Sequence, residues 1–141
     1  MIVVPFQPAH FSALQAQPSQ AWMMGVFTPA QVAALALCPS FTGLHEGEVV
    51  GCAGTIPFWS GRVMAWAMLS ARAGGHMVAV HRAVKRFLET CDARRIEATV
   101  DIDFEPGHRW MGALGFTLEA PRMDGYRPDG RACSIYAKVR Q

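Results

Sequence analysis

Residues 100–116 read VDIDFEPGHRWMGALGF, and this stretch predicts the end of a strand, a short helix and the start of another strand. The alternation of apolar and polar residues that runs into Val100 has the period of a half-buried strand. Pro106 and Gly107 then precede a short helix. Gly115 ends this helix as a C-cap, because glycine accepts the left-handed conformation found there. The stretch therefore indicates a mixed α/β organisation.

The segments on either side of this stretch continue the alternation of helix and strand. The clearest helix carries one apolar stripe, formed by Met77, Val80, Val84, Phe87, Leu88 and Cys91. The apolar run Arg62 to Ser70 predicts a strand that is covered on both faces. Residues Gln15 to Gln20 are polar and predict a loop. Further strands are predicted at Ile2 to Phe6, Phe41 to Leu44, Val49 to Ile56, Arg95 to Ile102, Phe116 to Tyr126 and Ala132 to Val139, with weaker helices after Pro8 and Thr28.

Composition limits the classes of protein that this chain can belong to. Its 141 residues, 51% of them hydrophobic, fit one compact domain over residues 1–141. Thirteen basic against eleven acidic residues give a net charge of +2, which disfavours nucleic acid as a partner. The four cysteines form no CxxC pair, so we expect no metal site and reduced thiols in a cytoplasmic protein. No apolar run is long enough to span a membrane, so no membrane partner is expected.

The order of these elements, with LGF at Leu114 to Phe116, resembles the GNAT acyl-CoA N-acyltransferases. Chains of that family run from a strand valine, through an asparagine and an alanine, to a tyrosine one helical turn before a Gly-Phe pair. Residues 100–116 keep this spacing without a gap. The resemblance extends from the Glu48 region to the end of the chain. It implies a single-domain GNAT-like fold, with a mixed, mostly antiparallel sheet of about six or seven strands flanked by about four helices.

A narrower resemblance is to small GNAT-like proteins encoded by tailed bacteriophages. It depends on the AW and LS pairs within Ala65 to Ser70, on GHRW at Gly107 to Trp110, and on the terminal IYAKV strand. It implies a cytoplasmic location in a bacterium or a phage-infected host cell.

The resemblance implies acetyl-CoA as co-substrate and an amine as acceptor, either a small molecule or a protein. The family loop reads Q/R-x-x-G-x-G/A; Arg72 and Gly75 match it, while Met77 stands where glycine or alanine is expected. Such a loop offers backbone N–H groups at a helix start to the anionic pyrophosphate. The pantetheine arm is expected on the backbone of the preceding strand. The implied cofactor-binding set is Met68, Leu69, Ser70, Arg72, Ala73, Gly74, Gly75, His76 and Met77, together with Phe104 and Met111, which occupy the family's asparagine and tyrosine positions.

The catalytic positions depart from the family, since the methionine at position 111 cannot donate a proton. Asp103 at the end of the fifth strand, beside Asp101, is our candidate base, and His108 and Tyr126 are the other candidate catalytic residues. Two of these residues have a structural alternative. His108 can serve only as a hydrogen-bonding residue, and Tyr126 can serve in packing of the core or its rim. Three tryptophans, Trp59, Trp66 and Trp110, are expected in the core rather than against a ligand.

Two functions remain open at this point. The first is an N-acetyltransferase in which the amine attacks acetyl-CoA directly. The second is a catalytically silent GNAT-fold binding protein or phage virion-associated protein, which would explain Met77, Phe104 and Met111 together. An acetyltransferase acting on a macromolecule is a minor option, and a homodimer is one of the open oligomeric states.

Overall fold

The structure, a computed structural model, describes all residues from 1 to 141. Seven strands, four α-helices and two short 3₁₀ segments follow one another along the chain. Their bounds are β1 Ile2–Pro5, α1 Pro8–Ala13, the first 3₁₀ segment Pro18–Gly25, α2 Pro29–Leu37, β2 Ser40–His45, β3 Glu48–Trp59, β4 Arg62–Leu69, the second 3₁₀ segment Ala73–His76, α3 Met77–Thr90, β5 Arg95–Asp101, α4 Glu105–Ala113, β6 Thr117–Met123 and β7 Cys133–Val139.

The strands form one sheet in the order β1-β2-β3-β4-β5-β7-β6. The β1–β2, β2–β3, β5–β7 and β6–β7 pairs are antiparallel. β4 and β5 are parallel, with Arg62–Met64 beside Arg95–Glu97. The predicted α/β fold with a mixed, mostly antiparallel sheet of seven strands and four helices is confirmed. No helix is long and apolar enough to cross a membrane.

The chain divides into two compact units, which we describe separately. Unit 1 contains residues 1–56 and 65–91, and unit 2 contains residues 57–64 and 92–141.

In unit 1, helices cover both faces of the strands. One face carries a core in which α1 and α2 pack on side chains of β3 and β4, and its buried members are Phe6, Phe11, Leu14, Val32, Leu35, Cys52 and Met68. On the opposite face α3 contributes Val80 and Val84, which line a small apolar cavity with Gly51 and Leu69. Burial of these stripes supplies the main free energy that holds the helices in place.

In unit 2, the even-numbered side chains of β5 form the core, because Ile96, Ala98 and Val100 are all buried. Helix α4 lies close to this strand at Gly107, where a Cβ atom would come within 2.7 Å of a Val100 methyl group. Only glycine fits that approach. Gly115 has φ +86°, which confirms its predicted role at the end of the α4 turn.

Three sequence predictions are wrong in detail. The polar stretch Gln15 to Gln20 is not only loop: Ala16 bridges to Ser70, and Pro18 starts the first 3₁₀ segment. Trp59 was expected in the core but is 62% exposed, with the Arg62 guanidinium 4.7 Å from its ring centroid. Alternation predicts a half-buried β5, but Glu97 on its polar face is only 3% exposed because arginines cover it.

Candidate active site

The N-terminus of α3 in unit 1 is free of side-chain caps. His76 occupies the N-cap position without a side-chain hydrogen bond, and the first turn contains no acidic residue. By contrast, Thr28 and Gln31 cap α2 reciprocally. Uncapped N–H groups at the positive end of a helix dipole favour an anion. This helix start is the place where the sequence predicts the pyrophosphate site.

The two glycines before α3 leave its backbone uncovered. At both Gly74 and Gly75 a Cβ atom would meet nothing within 4 Å, and neither residue has a positive φ. Glycine is therefore required here neither by the backbone conformation nor by packing. Its effect is to leave the main chain open to a ligand. Ala73 beside them is buried, and its N–H donates to the Ser70 carbonyl at 3.0 Å.

Two charged or titratable side chains border this loop. The Arg72 side chain is 76% exposed and its Nη1 lies 3.4 Å from Oε2 of Glu48, which is equally open to water. The His76 ring lies 4.5 Å, centroid to centroid, from the ring of His45 at the end of β2. Arg72 is therefore free to turn toward an anion at little cost, because exposed ion pairs contribute little.

The carboxyl-terminal part of β4 presents backbone groups on two edges. The Ser70 N–H donates to the Val50 carbonyl on β3 at 2.8 Å, so residues of even number face β3. The backbone groups of Ala67 and Leu69 face the other edge of β4, where the Gln20 side chain binds them. Gln20 Nε2 donates to the Ala67 carbonyl at 2.7 Å, and Gln20 Oε1 accepts from the Leu69 N–H at 2.9 Å. Met68, Leu69 and Ser70 are all buried.

In unit 2, the carboxylate of Asp101 at the end of β5 is held by two groups. Arg127, only 8% exposed, donates to it at 2.6 Å and also donates to Asp129 at 2.8 Å. The Cys133 thiol lies 3.5 Å from the other Asp101 oxygen. Burial, and then the negative charge of Asp101, raise the pKa of this thiol to about 11. Cys133 therefore remains protonated and is no nucleophile at neutral pH.

His108, predicted as a catalytic candidate, uses both ring nitrogens within unit 2. Its Nε2 lies 3.1 Å from the Asp101 carbonyl and 3.0 Å from the Ile102 carbonyl, and Nδ1 lies 2.7 Å from the Tyr136 hydroxyl. Carbonyls only accept, so Nε2 donates, and in the neutral ring Nδ1 then accepts from the Tyr136 O–H. This arrangement fixes α4 to the end of β5.

The other two catalytic candidates are open to solvent. Asp103 is exposed, and its carboxylate has no side-chain partner. Tyr126 is 47% exposed. Partial burial of its phenol, followed by the nearby Cys133, raises the Tyr126 pKa, and the Thr99 side chain opposes this. Its hydroxyl keeps its proton at neutral pH.

Phe104 and Met111 are packing residues in unit 2. Phe104 is the N-cap of α4, and its ring would come within 2.8 Å of a Cβ atom at Gly107. Met111 is 9% exposed on the inner side of α4. Neither side chain offers a polar atom that could hold or protonate a ligand. No group of three or more His, Cys, Asp or Glu side chains is arranged to hold a metal ion.

Comparisons with known proteins match this chain by structure and not by sequence. No family model matches, and no curated protein sequence matches significantly. Ard1 from Thermoplasma volcanium has a TM-score of 0.80 at 15% identity, over 99% of this chain and 97% of its own. A GNAT family acetyltransferase from Bacillus anthracis has a TM-score of 0.66 at 18% identity, over 97% of this chain and 93% of its own. This chain has the GNAT fold. A third GNAT-fold match, yncA from Salmonella typhimurium with its cofactor acetyl-CoA, has a TM-score of 0.74 at 14% identity, over 98% of this chain and 92% of its own.

Several residues of this GNAT-fold chain were not predicted as site residues from the sequence. Gln20 contacts β4 across 47 positions of sequence, and nothing in the polar stretch around it indicates that contact. Arg127 and Cys133 hold Asp101 across 26 and 32 positions of sequence. The alternation of Glu97, Thr99 and Asp101 is the one signal in the sequence for such contacts. If this polar face of the strand is covered, its carboxylates must be paired with basic side chains.

Proposed function

We propose that this chain is an acetyl-CoA-dependent N-acetyltransferase in which an amine attacks the acetyl group directly. The observation that carries the proposal is the uncapped start of α3 behind two uncovered glycines and Arg72, in a chain with the GNAT fold. The structural matches are acetyltransferases, and one was solved with acetyl-CoA. The acceptor in this proposal is an amine of a small molecule or of a protein.

The residues of unit 1 fit the phosphate end of the co-substrate. The N–H groups of Gly74, Gly75 and His76 together with the start of α3 would receive the pyrophosphate, and Arg72 would leave Glu48 to pair with it. Met77, the first residue of α3, places a half-buried thioether where the family has a smaller residue. The backbone of Met68, Leu69 and Ser70 would flank the pantetheine arm.

Unit 2, taken by itself, contains the candidate acid–base groups. When bound, acetyl-CoA supplies a thioester that a neutral amine can attack. Asp103, an exposed carboxylate, takes the proton of the incoming ammonium group, directly or through water. Tyr126 keeps a proton on its hydroxyl at neutral pH, which suits an acid. His108 is a positioning residue in this proposal, because both of its nitrogens are used.

A catalytically silent GNAT-fold protein is the second candidate. It is favoured by the buried Met111 and by the packed Phe104, which replace the proton donor and the amide of the family pattern. A virion-associated role in a bacteriophage belongs to this candidate, whereas the enzyme would act in the cytoplasm of a bacterium or an infected cell. Either could form a homodimer.

Calorimetric titration with acetyl-CoA and CoA at low and moderate salt tests the proposal. We expect micromolar binding that weakens with salt, because phosphates are bound by charge. Gly75→Asp should remove binding, whereas Gly112→Asp, at an exposed glycine with equally open space, should leave it unchanged. Absence of binding to the unmodified protein at millimolar CoA would contradict the proposal.

Substitution of Met111 separates the two candidates. Met111→Tyr restores a phenol at the family's acid position and should raise turnover by about tenfold or more if proton donation limits the rate. Met111→Phe is the matched control, since it adds the same ring without the hydroxyl. Binding of acetyl-CoA without turnover in all three proteins would favour the silent candidate.

A further inference from the structure

Near its C-terminal end, the edge of β4 that lies opposite β3 is paired with the chain's own polar segment. We call Gln15–Gln20 the edge segment. Its main chain pairs with the strand end, since the Gln17 N–H donates to the Leu69 carbonyl at 2.9 Å and the Ala71 N–H donates to the Gln15 carbonyl at 2.9 Å. Beyond this pairing the main chain turns into the first 3₁₀ segment, and the Gln20 side chain continues the ladder.

The carboxamide of Gln20 takes the place of a neighbouring strand. Its NH₂ donates to the Ala67 carbonyl and its oxygen accepts from the Leu69 N–H, which are bonds that a neighbouring extended chain would make through the N–H of one peptide group and the C=O of another. Gln17 Nε2 donates to the same Gln20 oxygen at 2.9 Å and so orients it. A side-chain amide is uncharged and half-buried here, so exchanging it for another amide costs little.

We propose that Gln20 is a self-supplied stand-in for an amide ligand, and that it controls access of the pantetheine arm to the edge of β4. This inference rests on the proposed function for the identity of the ligand. The arm contains two secondary amides in an extended chain, which can form the same pair of bonds. Gln20 must rotate away before the arm can bind, so this side chain lowers affinity and favours ligands that carry an amide at this position.

The experiment compares Gln20→Ala, Gln17→Ala and the control Gln31→Ala by two measurements. The first is hydrogen exchange of the Leu69 amide in the ligand-free protein. The second is affinity for CoA and for pantetheine, which lacks the phosphates. Gln31 serves as control because it is a glutamine of unit 1 that caps α2 and does not contact β4.

We expect Gln20→Ala to raise exchange at Leu69 and to bind pantetheine about fivefold more tightly, since one neutral hydrogen bond changes an equilibrium by roughly that factor. Gln17→Ala should give a smaller change in the same direction, and Gln31→Ala none. Gly75→Asp should weaken CoA and leave pantetheine unchanged, which separates the phosphate loop from the strand edge.

Three results would overturn the inference. Unchanged exchange at Leu69 in Gln20→Ala would show that the carboxamide does not hold the edge. Equal affinity of the unmodified protein and Gln20→Ala for CoA and pantetheine would refute gating while leaving the proposed function intact. Absence of binding in both proteins would refute the proposed function together with the ligand assigned to Gln20.

Discussion

The ends of β4 and β5 satisfy their polar groups in opposite ways. At the end of β4 the partners are neutral, namely the main chain of the edge segment and the carboxamide of Gln20. Along β5 the odd-numbered face is ionic: Glu97 is bound by Arg62 and Arg95 at 2.7 Å each, and Asp101 by Arg127 at 2.6 Å. Neutral bonds of about 1 kcal/mol can be exchanged for a ligand, whereas a broken buried ion pair leaves an uncompensated charge.

This difference separates binding from structure among the candidate residues. The Asp101–Arg127 pair joins the end of β5 to the turn of the terminal hairpin in unit 2, so Asp101 is structural although it stands two residues from Asp103. The neutral hydrogen bonds at the β4 edge could be replaced by those of another amide with little loss of stability. Under the proposed function, catalysis in unit 2 is expected at the groups that are left open, namely Asp103 and Tyr126.

The largest expected effect is that of Asp101→Asn. The buried Arg127 donates to the carboxylates of Asp101 and Asp129, and this substitution removes the first of them. The free energy of unfolding should therefore fall by about 3 kcal/mol. Asp103→Asn is the matched control and should change stability by less than about 0.5 kcal/mol. Urea unfolding measures both. Equal stability of the two variants would show that the β5 charges are not structural.

Glu97→Gln should have the next largest effect, about 2 kcal/mol, because Glu97 is buried while its arginines keep some access to water. The Arg62 guanidinium, and then Arg95, lower the Glu97 pKa against the opposing effect of burial. A carboxyl with a lowered pKa in the folded protein stabilises it above the unfolded-state pKa, and this contribution is lost as pH falls through the folded-state value.

The pH dependence of stability gives a separate measurement for the same pair. The unmodified protein should lose stability on acidification below about pH 4.5, near the ordinary glutamic acid pKa. Glu97→Gln should lose less over that range, since it has no carboxyl there to protonate. Parallel pH curves for the two proteins would contradict the ionic description of β5.

The sequence predicted most of the elements of unit 2. The spacing of residues 100–116 predicted β5, α4 and the Gly115 turn, because these elements are specified by local periodicity and by one glycine. The Arg72–Met77 loop was also predicted, since its glycines are local signals. Gln20 and Arg127 were not, because a contact between distant polar residues leaves no period in the sequence. The burial of Glu97 was not predicted, because alternation reports which residues are apolar and not which polar residues are covered.

A smaller effect is expected from Tyr136→Phe, which removes the hydroxyl that donates to His108. One neutral hydrogen bond is lost and a ring nitrogen remains without a donor, so stability should fall by about 1 kcal/mol. Turnover, where present, should be unchanged, because His108 positions α4. A loss of turnover with unchanged stability would instead make His108 catalytic, as the sequence suggested.

The smallest effect is expected from Glu48→Ala at the edge of the phosphate loop. Both members of the Arg72–Glu48 pair are more than two thirds exposed, at 76% and 73%, so stability should stay within about 0.5 kcal/mol of the unmodified protein. Affinity for CoA should rise by about twofold at low salt, because Arg72 loses a competing carboxylate, and the gain should vanish at moderate salt as screening grows. Pantetheine, which carries no phosphate, should bind equally to both proteins. A gain in pantetheine affinity would show that Glu48 acts on the β4 edge and not only on the phosphate loop. The ligand site could then no longer be divided into a charged part at the loop and a neutral part at the strand edge.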